Sequence, residues 1–259
     1  MASRGPRPAA LAAFVLHRYD WSESSVILDL FTREQGRIAV AAKGAKRPFS
    51  QLRSVLLPFQ RLQVTLGREP PGDDTREVQT LRAAEWGGGH AMLTGAALFS
   101  GFYLNELLMK LLARHDPHAA LFDAYAATVA ALARSDEVGT QAALRAFELV
   151  LLREIGLLPD LGTETASHRA VRADRRYLVL ADAGVVETEA GSENEASVSG
   201  AMLSALEMAL AVDLDSLQRV AAGALAELRP LLRAQLHYHL GTSQLRTRQV
   251  MIEAQALER

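Results

Sequence analysis

The chain contains no cysteine among its 259 residues. Disulfide bonds and zinc sites built on thiolates are therefore excluded, and the absence favours an intracellular compartment, where disulfides are rare. Aromatic residues make up only 6% of the sequence, whereas alanine and leucine are abundant. This composition favours helices, because alanine and leucine have high intrinsic helix propensity.

The sequence also lacks the patterns that accompany catalysis or a membrane span. It has no HExxH, GxxxxGK, GxGxxG or GxSxG motif, so no metal-dependent protease, nucleotide hydrolase or serine hydrolase is indicated. No apolar run approaches the ~20 residues of a transmembrane helix. His115 and His118 flank Asp116 and Pro117, which we interpret as a cap and first residue of a helix rather than a metal site.

Charge is strongly segregated along the chain. The total is −2, but the first 61 residues carry ten cations and four anions, or 10 − 4 = +6. The remaining residues must therefore sum to about −8. A basic segment joined to an acidic body is typical of a protein in which one region binds a polyanion.

The cations concentrate around residues 43–49, KGAKRPF, which lie between two strand-like runs. Cations around an aromatic suit a polyanion with flat faces, such as single-stranded nucleic acid, although a solvated surface turn has a similar composition. Phe49 and Trp21 are each expected either to stack on a base or to pack inward. The residues that we predict to contact DNA are Arg37, Lys43, Lys46, Arg47, Phe49, Arg53 and Arg61.

Short apolar runs separated by turn residues predict five strands within about 75 residues. We place them at residues 12–18, 25–32, 37–42, 56–66 and 78–83, with a short helix at 49–54. This count predicts a small five-stranded barrel, an OB-fold, and an SH3-like barrel fits the count nearly as well. We predict a disordered tail over residues 1–10, a DNA-binding barrel over 11–86, and a hinge at Gly87–Gly89.

Beyond the glycines the hydrophobic period becomes helical and predicts about six helices over residues 90–259. Residues 217–228 are expected to form one helix, with Asp215 and Gln218 as its capping box. An insert at 162–199 contains a β-hairpin, residues 176–180 and 184–186, and leaves by an acidic, serine-rich stretch expected to be mobile. The predicted fold class is thus α+β: an OB-fold barrel, then a helical bundle with a hairpin insert.

Four segments of the chain are similar to the RecO family of bacterial DNA repair proteins, in order and over nearly the whole length: residues 13–47, 103–132, 144–161 and 228–241. The resemblance implies an N-terminal OB-fold and a helical domain. It also implies a non-enzymatic protein that binds single- and double-stranded DNA, anneals complementary strands, and helps RecA displace single-strand-binding protein. The implied partners are RecR and the acidic C-terminal tail of single-strand-binding protein, in the bacterial cytoplasm at the nucleoid. No cofactor is implied.

A second basic site is predicted near the end of the chain. On a helix, Arg229, Leu232, Arg233 and Leu236 lie along one side and place two cations beside an apolar strip. Such a strip suits an acidic peptide that ends in an apolar residue and a free carboxylate. The resemblance implies that this peptide is the tail of single-strand-binding protein. Alternatively, Arg233 merely lies over the edge of the core with its charge in water.

Two other functions fit the residues. One is a protein-interaction adaptor whose basic loop binds acidic protein tails, and the other is an RNA-binding barrel protein. Phosphate neutralisation gives a steep salt dependence, which would distinguish nucleic-acid binding from the adaptor. Competition between DNA and RNA would distinguish the third possibility.

The chain is predicted to hold no zinc. Many RecO-family proteins carry a four-cysteine zinc site in the insert, but the corresponding segment here has no cysteine and a single histidine, His168. One imidazole cannot complete a tetrahedral site. Elemental analysis of the purified protein should find no stoichiometric zinc, and a chelator should leave its melting temperature unchanged. One tightly bound zinc per chain would contradict the prediction.

Overall fold

A computed structural model describes residues 10–67, 77–89, 92–188, 196–241, 245–247 and 249–250. The chain divides into two units, residues 1–94 with 105–126 and residues 95–104 with 127–259. Nearly all of the predicted N-terminal tail, the turn before the fifth strand, and most of the predicted mobile exit of the insert lie outside the described residues. The domain boundaries proposed from the sequence stay predictions.

Five strands of the first unit close into a barrel in the order β1-β2-β3-β5-β4. β1 pairs antiparallel with β2 and β4, while β3 pairs parallel with β5. A short helix connects β3 to β4. This arrangement confirms the predicted OB-fold. The elements are β1 Leu11–Asp20, β2 Val26–Thr32, β3 Gly36–Ala42, α1 Leu52–Val55, β4 Leu62–Leu66 and β5 Val78–Trp86.

Alternation along the strands separates a barrel interior from an outer face. Leu28, Leu30, Ile38 and Val40 fill the interior and have no exposed surface. Their neighbours Asp29 and Phe31 on β2 pair with Ala39 and Arg37 on β3. These four residues therefore share the outer face of the barrel.

Residues 105–126 of the same unit cover part of this outer face. The rings of Phe14 and Phe31 pack against Phe122, with centroid distances of 5.3 and 5.4 Å, and Phe14 also packs edge-on against Tyr125 at 4.9 Å. All four rings are almost completely buried. The hydrophobic core of the first unit therefore extends from the barrel interior across its outer surface.

A buried polar contact fixes this covering segment to β1. The register of β1 against β2 shifts between Val15 and His17. The carbonyl of Leu16 at this bulge accepts a hydrogen bond from Asn105 Nδ2 at 2.9 Å, and Asn105 Oδ1 accepts one from the Tyr125 hydroxyl at 2.6 Å. Burial raises the pKa of Tyr125 well above its ordinary value, so the hydroxyl stays a neutral donor.

The fourth strand is shorter than the sequence pattern indicates. It begins at Leu62 rather than residue 56, and the helix before it spans Leu52–Val55 rather than residues 49–54. Leu56 and Phe59 are buried but not in a strand, and Phe59 adopts a positive φ of 64°. A turn that directs apolar side chains into the core can have the same apolar composition as a strand. For this reason the sequence pattern predicted a strand that begins too early, at residue 56.

The second unit is predominantly helical. It contains parts of α2 and α3, together with the complete helices α4 to α7 and a small sheet of three strands in the order β7-β6-β8. The predicted hairpin is β6 and β7, and the sequence analysis missed the third strand, β8. The elements are α2 Gly95–Leu111, α3 Ala119–Leu132, α4 Glu137–Glu154, β6 Arg176–Leu180, β7 Gly184–Glu187, β8 Val198–Ser199, α5 Gly200–Leu210, α6 Leu214–Gly223 and α7 Leu225–Leu240.

Three helix ends differ from the sequence prediction. Residues 217–228 form two helices separated at Ala224, whose φ of −120° is not helical. Leu217 and Leu228 are nevertheless both buried, so the apolar period continues across the break. Asp213, not Asp215, caps α6 by accepting a hydrogen bond from the Ser216 amide.

The third difference concerns α3, which begins at Ala119 instead of Pro117. The Asp116 carboxylate lies 3.2 Å from His118 Nε2, so it contacts this imidazole instead of capping a helix that begins at Pro117.

No described helix is both long and apolar enough to cross a membrane.

Replacing Asn105 with alanine is expected to destabilise the protein by about 1–3 kcal/mol, because the Leu16 carbonyl and the Tyr125 hydroxyl lose a buried partner. Tyr125→Phe removes the hydrogen bond to Asn105 Oδ1 but leaves the Leu16 carbonyl paired, and it should cost less. Chemical denaturation of both variants measures the difference. An unchanged midpoint for Asn105→Ala would contradict the role given to this side chain.

Candidate nucleic-acid interface

The basic loop, residues 43–50, connects β3 to the turn before α1. Ala45 is 2% exposed and packs into the barrel interior, which anchors the middle of the loop. Gly44 has a φ of +74°, a conformation that glycine adopts readily. The side chains of Lys43 and Arg47 on either side are exposed. The anchored backbone therefore presents both cations to solvent.

Phe49 lies at the tip of this loop and is 99% exposed. The sequence analysis left open whether Phe49 packs inward or is exposed for stacking, and in the structure its side chain is exposed. A fully exposed phenylalanine is unusual, because its apolar ring contributes nothing to the stability of the isolated protein. Here it lies beside two exposed cations. It forms an open pocket surface with Lys43, Arg47 and Pro48.

Lys46 differs from its neighbours because it is already paired. Its Nζ lies 3.3 Å from Asp20 Oδ1, and its side chain is only 26% exposed. Its backbone amide donates to the Ser24 carbonyl at 2.9 Å. Surface ion pairs are weak, so a phosphate can compete with Asp20 for this ammonium, but the pair also ties the basic loop to the end of β1.

Arg37 is half-buried, and its guanidinium is already engaged within the first unit. Its Nη1 donates to the Met109 carbonyl, and its Nε is buried without a hydrogen-bond partner among the described residues. Strand alternation places Arg37 on the outer face, which residues 105–126 cover. We therefore assign it to the packing of the first unit and omit it from the interface.

Arg53 and Arg61 are both exposed, the first on α1 and the second just before β4. Within the described part of the chain neither forms an ion pair with an acidic side chain. Their guanidinium groups are therefore available to an external anion. Of the predicted contacts, the structure brings Lys43, Lys46, Arg47 and Phe49 together in one loop.

In an uncovered OB-fold, the outer face of the central strands binds extended oligonucleotides. Here the corresponding face of β2 and β3 is less accessible. Asp29, 1% exposed in its side chain, lies 3.3 Å from Arg114 Nη2. The covering residues thus close the middle of this face and leave its loop end accessible. Two exposed aromatics lie there, Trp21 at 55% and Tyr19 at 43%. The sequence analysis left Trp21 ambiguous and missed Tyr19.

A second candidate site lies within the helical unit. A cavity of about 360 Å³ is lined by Arg229, Arg233 and Leu236 of α7, together with Phe99, Tyr103 and Arg145. Three of the four residues predicted to bind an acidic tail therefore line one cavity. The fourth, Leu232, is fully buried and supports the cavity from the core.

Arg145 is a cavity residue that the sequence analysis missed. Its Nη2 lies 2.7 Å from Glu148 Oε1, and the Tyr103 hydroxyl donates to the same oxygen at 2.6 Å. Burial raises the pKa of Glu148, and the charge of Arg145 opposes that increase. The network holds the guanidinium at the cavity. The only signal of this network in the sequence is the i,i+3 spacing of Arg145 and Glu148, which places both residues on one side of a helix.

The insert does not fit the four-cysteine zinc site considered in the sequence analysis. It has no cysteine, and among the residues that the structure describes no group of three or more histidine or acidic side chains could hold a metal ion. Its backbone is organised by strand pairing, with β6 between β7 and β8. The metal-free insert stays a prediction for elemental analysis.

Comparison with known proteins gives consistent matches over nearly the whole chain. Residues 9–87 match the N-terminal model of recombination protein O, and residues 92–249 match its C-terminal model. Proteins named DNA repair protein RecO are 52% identical in Polaromonas sp. strain JS666, 53% in Polaromonas naphthalenivorans and 52% in Variovorax paradoxus. In each case the alignment covers 95% of this chain and 96% of the relative.

Proposed function

The chain belongs to the RecO family of DNA repair proteins, and from this premise we propose that it is a recombination mediator without a catalytic step. It binds single- and double-stranded DNA, anneals complementary strands, and helps RecA load on DNA covered by single-strand-binding protein. It works with RecR in the bacterial cytoplasm, at the nucleoid.

The observation that carries DNA binding is the conformation of the basic loop. Lys43 and Arg47 are exposed on a backbone anchored by buried Ala45, and Phe49 is 99% exposed between them and α1. Phosphate neutralisation supplies affinity without regard to sequence. An aromatic ring beside those phosphates adds stacking on any base. Arg53 and Arg61 extend the positive surface on the same barrel.

Annealing follows from the same electrostatics. Two complementary strands repel each other through their phosphates, and cations that neutralise both strands lower that repulsion. No nucleotide hydrolysis is needed, because base pairing supplies the free energy once the strands are in contact. Since the central face of the barrel is covered, we expect each barrel to contact only a few nucleotides.

The cavity of the helical unit is the proposed receptor for the acidic tail of single-strand-binding protein. Arg229 and Arg233 are exposed at its edge, and Leu236 gives it an apolar wall. A guanidinium binds a terminal carboxylate through two parallel hydrogen bonds. The volume of about 360 Å³ lies at the small end of ligand pockets, which suits one or two side chains of a peptide.

Arg145 supports this proposal because Glu148 and Tyr103 hold its guanidinium at the cavity, where its remaining N–H groups can donate. Glu148 is completely buried behind it and cannot meet the peptide. The exposed guanidinium groups of Arg229 and Arg233 make the edge of the cavity positive within a unit whose overall charge is negative. This local contrast favours an acidic peptide over extended DNA, whose backbone would be repelled by the surrounding acidic surface.

The basic loop can be tested one charge at a time. Arg47→Ala should reduce affinity for unrelated DNA sequences about equally and lower the log–log salt slope of single-strand binding by about 0.7. Arg33→Ala is the matched control, because Arg33 is already paired with Asp123 at 3.0 Å and should leave the slope unchanged. Fluorescence anisotropy over a salt series measures both.

The triple change of Lys43, Lys46 and Arg47 to alanine should have a larger effect in the same direction. An unchanged DNA affinity at low salt would exclude the loop as the main site. Salt-independent binding would favour the adaptor alternative, and preferential competition by RNA would favour an RNA-binding protein.

The cavity is tested with a synthetic acidic peptide that ends in an apolar residue and a free carboxylate. Arg233→Ala should weaken peptide binding by about 1–3 kcal/mol, because a charge-assisted hydrogen bond is lost. Arg219→Ala removes an exposed arginine from α6 outside the cavity and should have no effect. Titration calorimetry measures both, and binding to naked DNA should barely change. Equal loss of peptide and DNA binding, or loss of neither, would place the tail site elsewhere.

A further inference from the structure

Three aromatic or imidazole side chains recur at every second residue where β1 emerges from the barrel: His17, Tyr19 and Trp21. The first six residues of β1 are buried and the last four are exposed. Tyr19 and Trp21 are 43% and 55% exposed. A spacing of two places side chains on one face of a strand, so the exposed ring of Tyr19 follows His17 on one face of β1, and Trp21 comes directly after the strand ends at Asp20.

The register of β1 places Tyr19 beyond the covered part of the outer face. His17 pairs with Asp29 and Tyr19 pairs with Ile27, one step further towards the loop end. Asp29 is the residue that contacts Arg114 of the covering segment. Tyr19 therefore begins the part of this face that remains accessible.

The ring of Tyr19 and the backbone of Trp21 are held in place without a ligand. The rings of His17 and Tyr19 meet edge-on with their centroids 4.5 Å apart. Burial, followed by the charge of Asp29, raises the pKa of Tyr19, so the phenol is neutral. The Trp21 backbone amide donates to the Ser25 carbonyl at 3.3 Å, closing the turn into β2. A tyrosine ring that is already ordered loses little entropy when a base stacks on it.

The same turn is joined to the basic loop. The Lys46 amide donates to the Ser24 carbonyl at 2.9 Å, and the Gly44 amide donates to Ser25 Oγ at 3.4 Å. Lys46 Nζ also contacts Asp20, the residue between Tyr19 and Trp21. Phosphate-binding cations and exposed rings are thus neighbours on one connected surface.

We propose that Tyr19 and Trp21 form a stacking platform for unpaired bases of single-stranded DNA, with the adjoining phosphates at the basic loop. The platform rests on the proposed DNA-binding function of the barrel and adds a preference to it. Bases of a duplex stack on one another and expose only their edges, whereas a single strand offers whole base faces. The cations serve both kinds of DNA, and the platform favours the single strand.

The first test uses the small number of tryptophans. The chain has two, Trp21 and Trp86, so Trp86→Phe leaves Trp21 as the only indole. A thymine oligonucleotide should quench its fluorescence, and an abasic oligonucleotide of the same length, which keeps the phosphates, should quench it little. Equal response to both probes would contradict stacking.

The second test compares affinities. Tyr19→Ala with Trp21→Ala should weaken single-strand binding roughly 5- to 100-fold, the usual range for losing a stacked base, and should leave duplex binding within about twofold. Tyr19→Phe keeps the ring and should retain single-strand affinity. Trp86→Ala is the matched control, because Trp86 is 63% exposed on the barrel but lies on β5.

The outcomes separate the platform from the function on which it rests. Loss of single-strand and duplex binding together, with an unchanged melting temperature, would overturn the platform, as would unchanged single-strand affinity in the double variant. In either case a DNA defect in the basic-loop variants would leave the proposed function standing. Loss of single-strand binding alone, with the Trp86→Ala control unaffected, supports the platform.

Discussion

The covering of the barrel's outer face by residues 105–126 is the constraint on which the rest of the first unit depends. Asn105 satisfies a carbonyl at the bulge in β1, Phe122 and Tyr125 pack over Phe14 and Phe31, and Arg114 meets buried Asp29. An unpaired Leu16 carbonyl or Asp29 carboxylate in that position would be costly. The same contacts that complete the core remove the middle of the face from DNA and leave the loop end.

Two basic surfaces of different character follow from the structure. The basic loop places Lys43 and Arg47 beside exposed rings, a combination suited to phosphates and bases. The cavity of the helical unit places Arg145, Arg229 and Arg233 beside leucine, a combination suited to a carboxylate and an apolar side chain. Similar charges thus have different preferred ligands because their apolar neighbours differ in shape: exposed flat rings in one case, a concave wall in the other.

Much of the fold could be predicted from hydrophobic periodicity. The five strands, the hairpin of the insert and the helical stripes at Leu104–Leu107 and Phe147–Leu151 all appear where the period of two or 3.6 indicates. The errors lie where burial has no regular period. Leu56 and Phe59 enter the core from a turn, and Ala224 separates two helices whose apolar faces are aligned. A pattern of apolar residues indicates what is buried, but not always the backbone conformation that buries it.

The sequence by itself determined the five strands followed by helices, the concentration of positive charge in the first 61 residues, and the absence of thiolate chemistry. These depend on local periodicity and composition. Only the tertiary structure decided which cations face solvent: Arg37 is held by the Met109 carbonyl, 72 residues away, and Phe49 is outward. The tertiary structure also places Tyr103, Arg145 and Arg233 around one cavity. Such contacts join distant residues, and their side chains carry no local signal of the partner they will meet.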